Sequence, residues 1–344
     1  MEQKKLRGYS LIILALGALL LAVILASFVV GRYPMTLPQI FASVRARIDA
    51  RLYGGDGVSG NPTVDALFFN VRLPRVFLSC MVGCCLSAAG AAYQGVFQNP
   101  MASPDILGAS SGAAAGAALA ILLGLSGRMV TVFAFGASLL IIGLVMLVSR
   151  TARGNRLLRI ILAGIMVSSL CNAATSFIKL VADPNDVLPE ITYWLMGSLA
   201  KTKPDDVLFA LIPMAIGLIP LLLLRWRINL LTLSDREARA MGVNVAAVRV
   251  AVIVCATLVT AASVSVSGLI GWVGLVVPHL ARRLVGSNYR HLIPASMLGG
   301  ALFLLIVDNL SRNLLLTEIP IGILTSVIGA PFFLWMITRK SETV

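Results

Sequence analysis

Runs of apolar residues, each about 20 long, recur along the whole chain and are separated by short stretches that carry the lysines and arginines. About 20 residues of helix are needed to cross a hydrocarbon core of roughly 30 Å. Only helices or closed barrels satisfy their own backbone there, and runs of this length select helices. Of the 344 residues, 58% are hydrophobic and 12% charged. A soluble domain carries about 25% charged residues, so this chain has too little charge to cover a water-facing surface. The sequence predicts an all-α integral membrane protein with a single membrane domain over residues 1–344 and no separate soluble domain.

Ten spans are predicted, at roughly 9–30, 73–95, 106–124, 129–149, 157–180, 206–225, 247–266, 268–284, 292–310 and 321–338. The first follows Lys4, Lys5 and Arg7 and is too long for the apolar core of a signal peptide. With the N-terminus in the cytoplasm, the inner segments hold 17 Lys/Arg and 5 Asp/Glu, against 11 and 10 outside. That asymmetry predicts both termini in the cytoplasm. It also accounts for the net charge of +13 without nucleic acid, because the basic residues punctuate spans and do not gather on a soluble surface. Two external segments exceed simple turns. Residues 31–71 carry the flexible tip Gly54-Gly55-Asp56-Gly57, and residues 181–205 contain an apolar stretch, Ile191 to Leu199, expected as a short helix in the outer part of the bundle.

Cys80, Cys84, Cys85, Cys171 and Cys255 lie in apolar segments without a C-x-x-C pair, and there are two histidines, so neither a metal site nor a disulfide is expected. No phosphate loop is present. Gly108, Gly112 and Gly116 recur every four residues and predict close helix packing, and Gly268, Gly271 and Gly274 read the same way. In the fifth span Gly164, Ser168, Asn172, Thr175 and Lys179 fall within about 80° of a helical wheel. Such a polar stripe either lines a watery path or packs against other helices. In the cytoplasmic stretch 226–246, Ser234 and Glu237 form a capping box and Gly242 stands where a helix would stop. The short helix so defined, with Arg236 and Arg239 on it, is either a solvated amphipathic helix or a peg that docks into another protein. At the outer side, Arg72-Leu73-Pro74-Arg75 and Arg312 flank two spans. They suit either interfacial anchoring or capture of carboxylates.

Several motifs in order resemble the FecCD-type permeases, the membrane subunits of type II importers for iron–siderophore complexes, haem and cobalamin. They are Arg72-Leu73-Pro74-Arg75, Gln98-Asn99-Pro100-Met101-Ala102-Ser103-Pro104 with Leu107-Gly108, and Tyr193-Trp194-Leu195-Met196-Gly197. Gly274-Leu275-Val276-Val277-Pro278-His279, Glu318-Ile319-Pro320-Ile321-Gly322 and Gly329-Ala330-Pro331-Phe332-Phe333 complete the set. The resemblance implies ten helices per subunit in a bacterial inner membrane and a homodimer with the path on its two-fold axis. It further implies two ATPase subunits below, which bind ATP and Mg, and a substrate-binding protein outside; the permease itself holds no cofactor and is no enzyme. It makes Ser234, Asp235, Arg236, Glu237, Ala238, Arg239, Met241 and Gly242 the coupling segment. It makes Arg72, Arg75 and Arg312 receivers of the binding protein's acidic residues, the fifth helix a wall of the path, and Asn99, Leu157 and Leu158 the cytoplasmic gate. Within the family, a molybdate or tungstate permease is the alternative, suggested by Leu188-Pro189 and Trp194-Leu195-Met196-Gly197-Ser198. From a different class, the alternative is an ion-coupled secondary transporter, which the lack of a mid-membrane carboxylate pair disfavours.

Overall fold

A computed structural model describes residues 2–53, 58–59, 61–151, 156–233 and 235–338. Its regular structure is helical: α1 (Glu2–Val29), α2 (Leu37–Tyr53), α3 (Pro62–Leu67), α4 (Leu73–Val96), α5 (Ala109–Leu122), α6 (Gly127–Thr151) and α7 (Arg156–Val181). There follow α8 (Val187–Leu195), α9 (Pro204–Leu231), α10 (Asp235–Ala240), α11 (Val245–Ser267), α12 (Val273–Val285), α13 (Tyr289–Asn313) and α14 (Ile321–Thr338). A π-helical turn, Phe68–Arg72, leads into α4, and a 3₁₀ turn, Pro104–Leu107, leads into α5.

The central element is α4, which packs against α13, α11, α12 and α9. Lipid cannot drive apolar faces together, so close van der Waals contact must. Glycine supplies it. A Cβ on Gly83 would lie 2.2 Å from the Gly300 carbonyl oxygen, and one on Gly90 would lie 1.7 Å from that of Gly274. These contacts lock α4 against α13 and α12. The predicted Gly108/Gly112/Gly116 face is only partly realised. Gly112 and Gly116 pack on α6, against Ile141 and Ala137. Gly108 instead closes the 3₁₀ turn at φ +80°, in the left-handed region that a side chain disfavours. In the second trio only Gly274 lies on a helix; Gly268 and Gly271 belong to the link between α11 and α12.

Seven helical segments among the described residues are long and apolar enough to cross a membrane. The other three predicted spans fall on α5 (14 residues), α12 (13 residues) and α14 (18 residues). At about 1.5 Å per residue, α5 and α12 reach only about 20 Å. Their predicted spans begin in backbone that is not α-helical, residues 106–108 and 268–272, so run length overstates helix length. Non-helical backbone is tolerated at depth where protein satisfies it. Here Ser198 N donates to Ser267 O (2.8 Å), Ile321 N to Gly197 O (2.8 Å) and Gly322 N to Met196 O (3.1 Å). The ends of α8, α11 and α14 thereby meet at one seam.

Other boundaries shift as well. Helix α8 starts at Val187, after an Asp183 turn in which Oδ1 accepts from Asn185 N and Asp186 N. Helix α9 runs beyond the predicted 225 to Leu231, because Ile228 and Leu231 face the core past the charged Arg225 and Arg227. Much of the expected loop 226–246 is therefore helix. The external segment 31–71 folds into α2, α3 and the π turn, while the tip Gly54–Gly57 lies outside the described residues.

Candidate functional site

At the mouth, the end of the bundle expected to face outward, Arg72 ends the π turn and Arg75 stands on the first turn of α4. Both are buried, as is Arg312 near the end of α13. Arg75 Nε donates to Asp308 Oδ1 at 2.9 Å, and its Nη1 donates to Glu318 Oε1 at 3.0 Å. Asp308 also pairs with Arg312 Nε, 3.2 Å from its Oδ2 and one helical turn away. Arg312 Nη2 donates to Asn309 Oδ1 at 2.7 Å. The side chain of Asp308 is fully buried, whereas that of Glu318 keeps 27% of its surface exposed. Arg75 Nη2 is buried without a hydrogen-bond partner among the described residues. A carboxylate inside a bundle is stabilised only by such pairing.

Arg72 does something else. Its guanidinium donates to the carbonyls of Phe28, Val29 (3.3 Å) and Tyr33. The last turn of α1 has carbonyls with no helical partner, and a cation there satisfies them and opposes the helix dipole. Arg32 mirrors this at α13, donating to Arg312 O (3.0 Å) and Leu315 O (3.1 Å). All three predicted docking arginines thus sit together at the mouth, each with an intramolecular partner. Sequence reading missed those partners, Asp308 and Glu318. The available signal was an acidic residue four positions before Arg312 inside an apolar span, where pairing is the default.

At the end expected to face the cytoplasm, α10 covers Asp235–Ala240, and Gly242 stops it at φ +77° with open space around it. Met241 N bonds to Glu237 O (3.2 Å) and Val243 N to Ala238 O (3.3 Å). Ala238 is buried against the core, while Glu237, Met241 and Gly242 are exposed. Ser234 lies outside the described residues, so of the expected capping box only the Glu237 half is described. A brace the sequence did not announce comes from Gln98, at φ +50° just past α4. Its Nε2 donates to Leu231 O (2.7 Å) and Leu233 O (3.3 Å), joining the inner end of α4 to the chain entering α10. Asn99 beside it is exposed, and its Oδ1 accepts from Met101 N at 2.9 Å. Leu157 packs against the core and Leu158 points outward.

The stripe on α7 is divided. Gly164 is pressed against the 3₁₀ turn, where a Cβ would lie 2.2 Å from Ile106 O. Ser168 Oγ faces Gly108, and buried Thr175 returns its hydroxyl to Cys171 O at 2.9 Å. Asn172 is exposed and Lys179 half-buried. The stripe therefore runs from a packed edge to an open one, with Ser169 and Ser176 beside Asn172 on the open side.

The model of the FecCD transport family matches residues 19–339. The chain belongs to the FecCD transport family. It is 40% identical over 328 residues to a molybdate import system permease of Haemophilus influenzae, covering 95% of each chain. It is 41% identical over 293 residues to a hemin transport system permease of Yersinia pestis, covering 83% of this chain and 86% of that one. A solved inward-facing metal-chelate type ABC transporter shares 38% identity and superposes with a TM-score of 0.85 over 95% of this chain and 99% of that one.

This FecCD chain is the membrane permease subunit of an ABC importer. FecCD permeases are transport subunits, and ATP hydrolysis resides in their partner subunits. The two features described above lie at opposite ends of one helix: α4 carries Arg75 on its first turn and leads into Gln98 just past its last.

Proposed function

We propose that two copies of this FecCD permease form a homodimer in the bacterial inner membrane. Ten helices of each copy cross the membrane, with α5, α12 and α14 completed by their non-helical entries, and both termini lie in the cytoplasm. Two ATPase subunits dock on residues 234–242, and a binding protein outside delivers an iron chelate to the mouth around Arg72, Arg75 and Arg312. The observation that carries this reading is the short helix α10, braced by Ala238 and Gln98 yet presenting Glu237 and Met241 outward. A helix so held transmits a push into α4 and α9 rather than yielding alone. Nothing in the transported molecule is chemically changed.

At the mouth, an incoming carboxylate competes with Glu318 for Arg75, whose Nη2 has a donor to spare. Along the path, the open side of the stripe (Asn172, Ser169, Ser176 and Lys179) faces the transported molecule, while Gly164, Ser168 and Thr175 hold α7 in place. Asn99, Leu157 and Leu158 form the inner gate. A second reading, molybdate in place of an iron chelate, is favoured by the 95% mutual coverage with the molybdate permease. Proteoliposomes holding this chain, its ATPase and its binding protein distinguish the two. Uptake of ferric siderophore or haem supports the chelate reading, and uptake of molybdate alone replaces it.

A further inference from the structure

Helix α2 has an apolar stripe that nothing among the described residues covers. At about 100° per residue, Leu37, Phe41, Ile48 and Leu52 fall within an arc of about 60°. All four are exposed, Phe41 by 71% and Leu52 by 69%. The face that packs inward is a different one, carrying Ile40 and Ser43. Arg45 and Arg51 flank the stripe on its two sides.

The position of α2 decides what meets this stripe. Met35, Ile40, Val64 and Phe68 form a small core with Phe28 and Val29 of the last turn of α1. That core seats α2 beside the outer end of α1. The apolar part of α1, Gly8–Val29, has 22 residues, enough for about 33 Å, against a hydrocarbon core of roughly 30 Å. Its end, and α2 with it, therefore stand at headgroup level. One side of α1 packs on the core through Tyr9, Ile12, Ile13 and Leu16, while Leu11, Leu14, Leu21 and Leu25 on its other side are exposed, so the apolar surface of α2 continues one that already faces lipid.

We propose that α2 is an interfacial helix, lying on the outer leaflet with Leu37, Phe41, Ile48 and Leu52 among the acyl chains and Arg45 and Arg51 on phospholipid phosphates. A helix with an apolar stripe edged by arginines has the composition for this, and arginine pairs with phosphate through two parallel donors. The helix then anchors the external segment at a fixed height beside the mouth, since the π turn that ends at Arg72 packs on the same small core.

The test places the photoreactive p-benzoylphenylalanine at position 41 or 52, and at Gln39 as a control, in the full chain with its partners. The vesicles contain phosphatidylglycerol and phosphatidylethanolamine. After irradiation, phospholipid adducts at 41 and 52 but not at 39 are expected. Arg45→Gln with Arg51→Gln should lower the phosphatidylglycerol share of those adducts about two-fold or more, the direction that loss of two basic contacts to an anionic surface gives. Adducts at 41 to the binding protein or to a second copy, or no lipid adduct at all, overturn the proposal. An unchanged phosphatidylglycerol share overturns its headgroup part.

Discussion

At the outer mouth, Arg75, Asp308, Arg312 and Glu318 close on one another inside the protein, drawn from α4, α13 and the turn after α13. At the opposite end of the bundle, α10 is six residues long; among its described side chains Ala238 is buried, and Gln98 braces the chain that enters it. The first arrangement is costly to disturb, because every charge depends on the others. The second is a short segment that leaves Glu237 and Met241 exposed and is tied through Gln98 to the end of α4. The two ends are joined through α4.

The largest expected effect breaks the mouth. Asp308→Ala leaves two buried guanidinia without their shared carboxylate and should cost about 3–5 kcal/mol, read as a fall in thermal stability of the purified permease. A loss below about 1 kcal/mol would mean that the network behaves like surface charge and that the contrast between the two ends is false. Removing Glu237 at the peg should separate ATP hydrolysis from uptake in proteoliposomes; normal coupling in both Glu237→Ala and Arg239→Ala counts against the docking role. Gln98→Ala removes a two-carbonyl brace, worth about 1 kcal/mol for an ordinary hydrogen bond. It should lower uptake per ATP hydrolysed without abolishing hydrolysis. Gly242→Ala forces a side chain into the left-handed region at about 1–2 kcal/mol; because the site is open, the cost should appear as faster amide exchange in α10 and nowhere else. The smallest effect separates the two edges of α7: Asn172→Leu should reduce uptake while Thr175→Val leaves it close to normal, and equal effects would erase the division of the stripe.

Features set by local chemistry were legible in the sequence. Apolar run length located the helices, Gly242 marked the end of α10, and the arginines of the mouth stood out by their place beside spans. What escaped was set by distance or by tertiary context. Arg75 and Asp308 are 233 residues apart, and nothing near either one names the other. Helices α5 and α12 are shorter than their apolar spans because those spans begin in non-helical backbone, residues 106–108 before α5 and 268–272 before α12. Helix α9 was read too short because Arg225 and Arg227 interrupt hydropathy but not the buried spacing of Ile228 and Leu231. Helix α2 hid behind the glycines of its neighbouring tip. Its apolar residues serve two faces, so they do not form one clean period.

The central claim, that α10 transmits the ATPase stroke into the permease, is tested most directly by measuring ATP hydrolysis and substrate uptake together in proteoliposomes. Wild type and Glu237→Ala are compared, each with its ATPase and loaded binding protein. The account predicts that the variant hydrolyses ATP with little or no stimulation by the loaded binding protein and takes up little substrate, while it still assembles with the ATPase. Uptake and stimulation equal to wild type, or uptake that persists without ATP and follows an ion gradient, would contradict it.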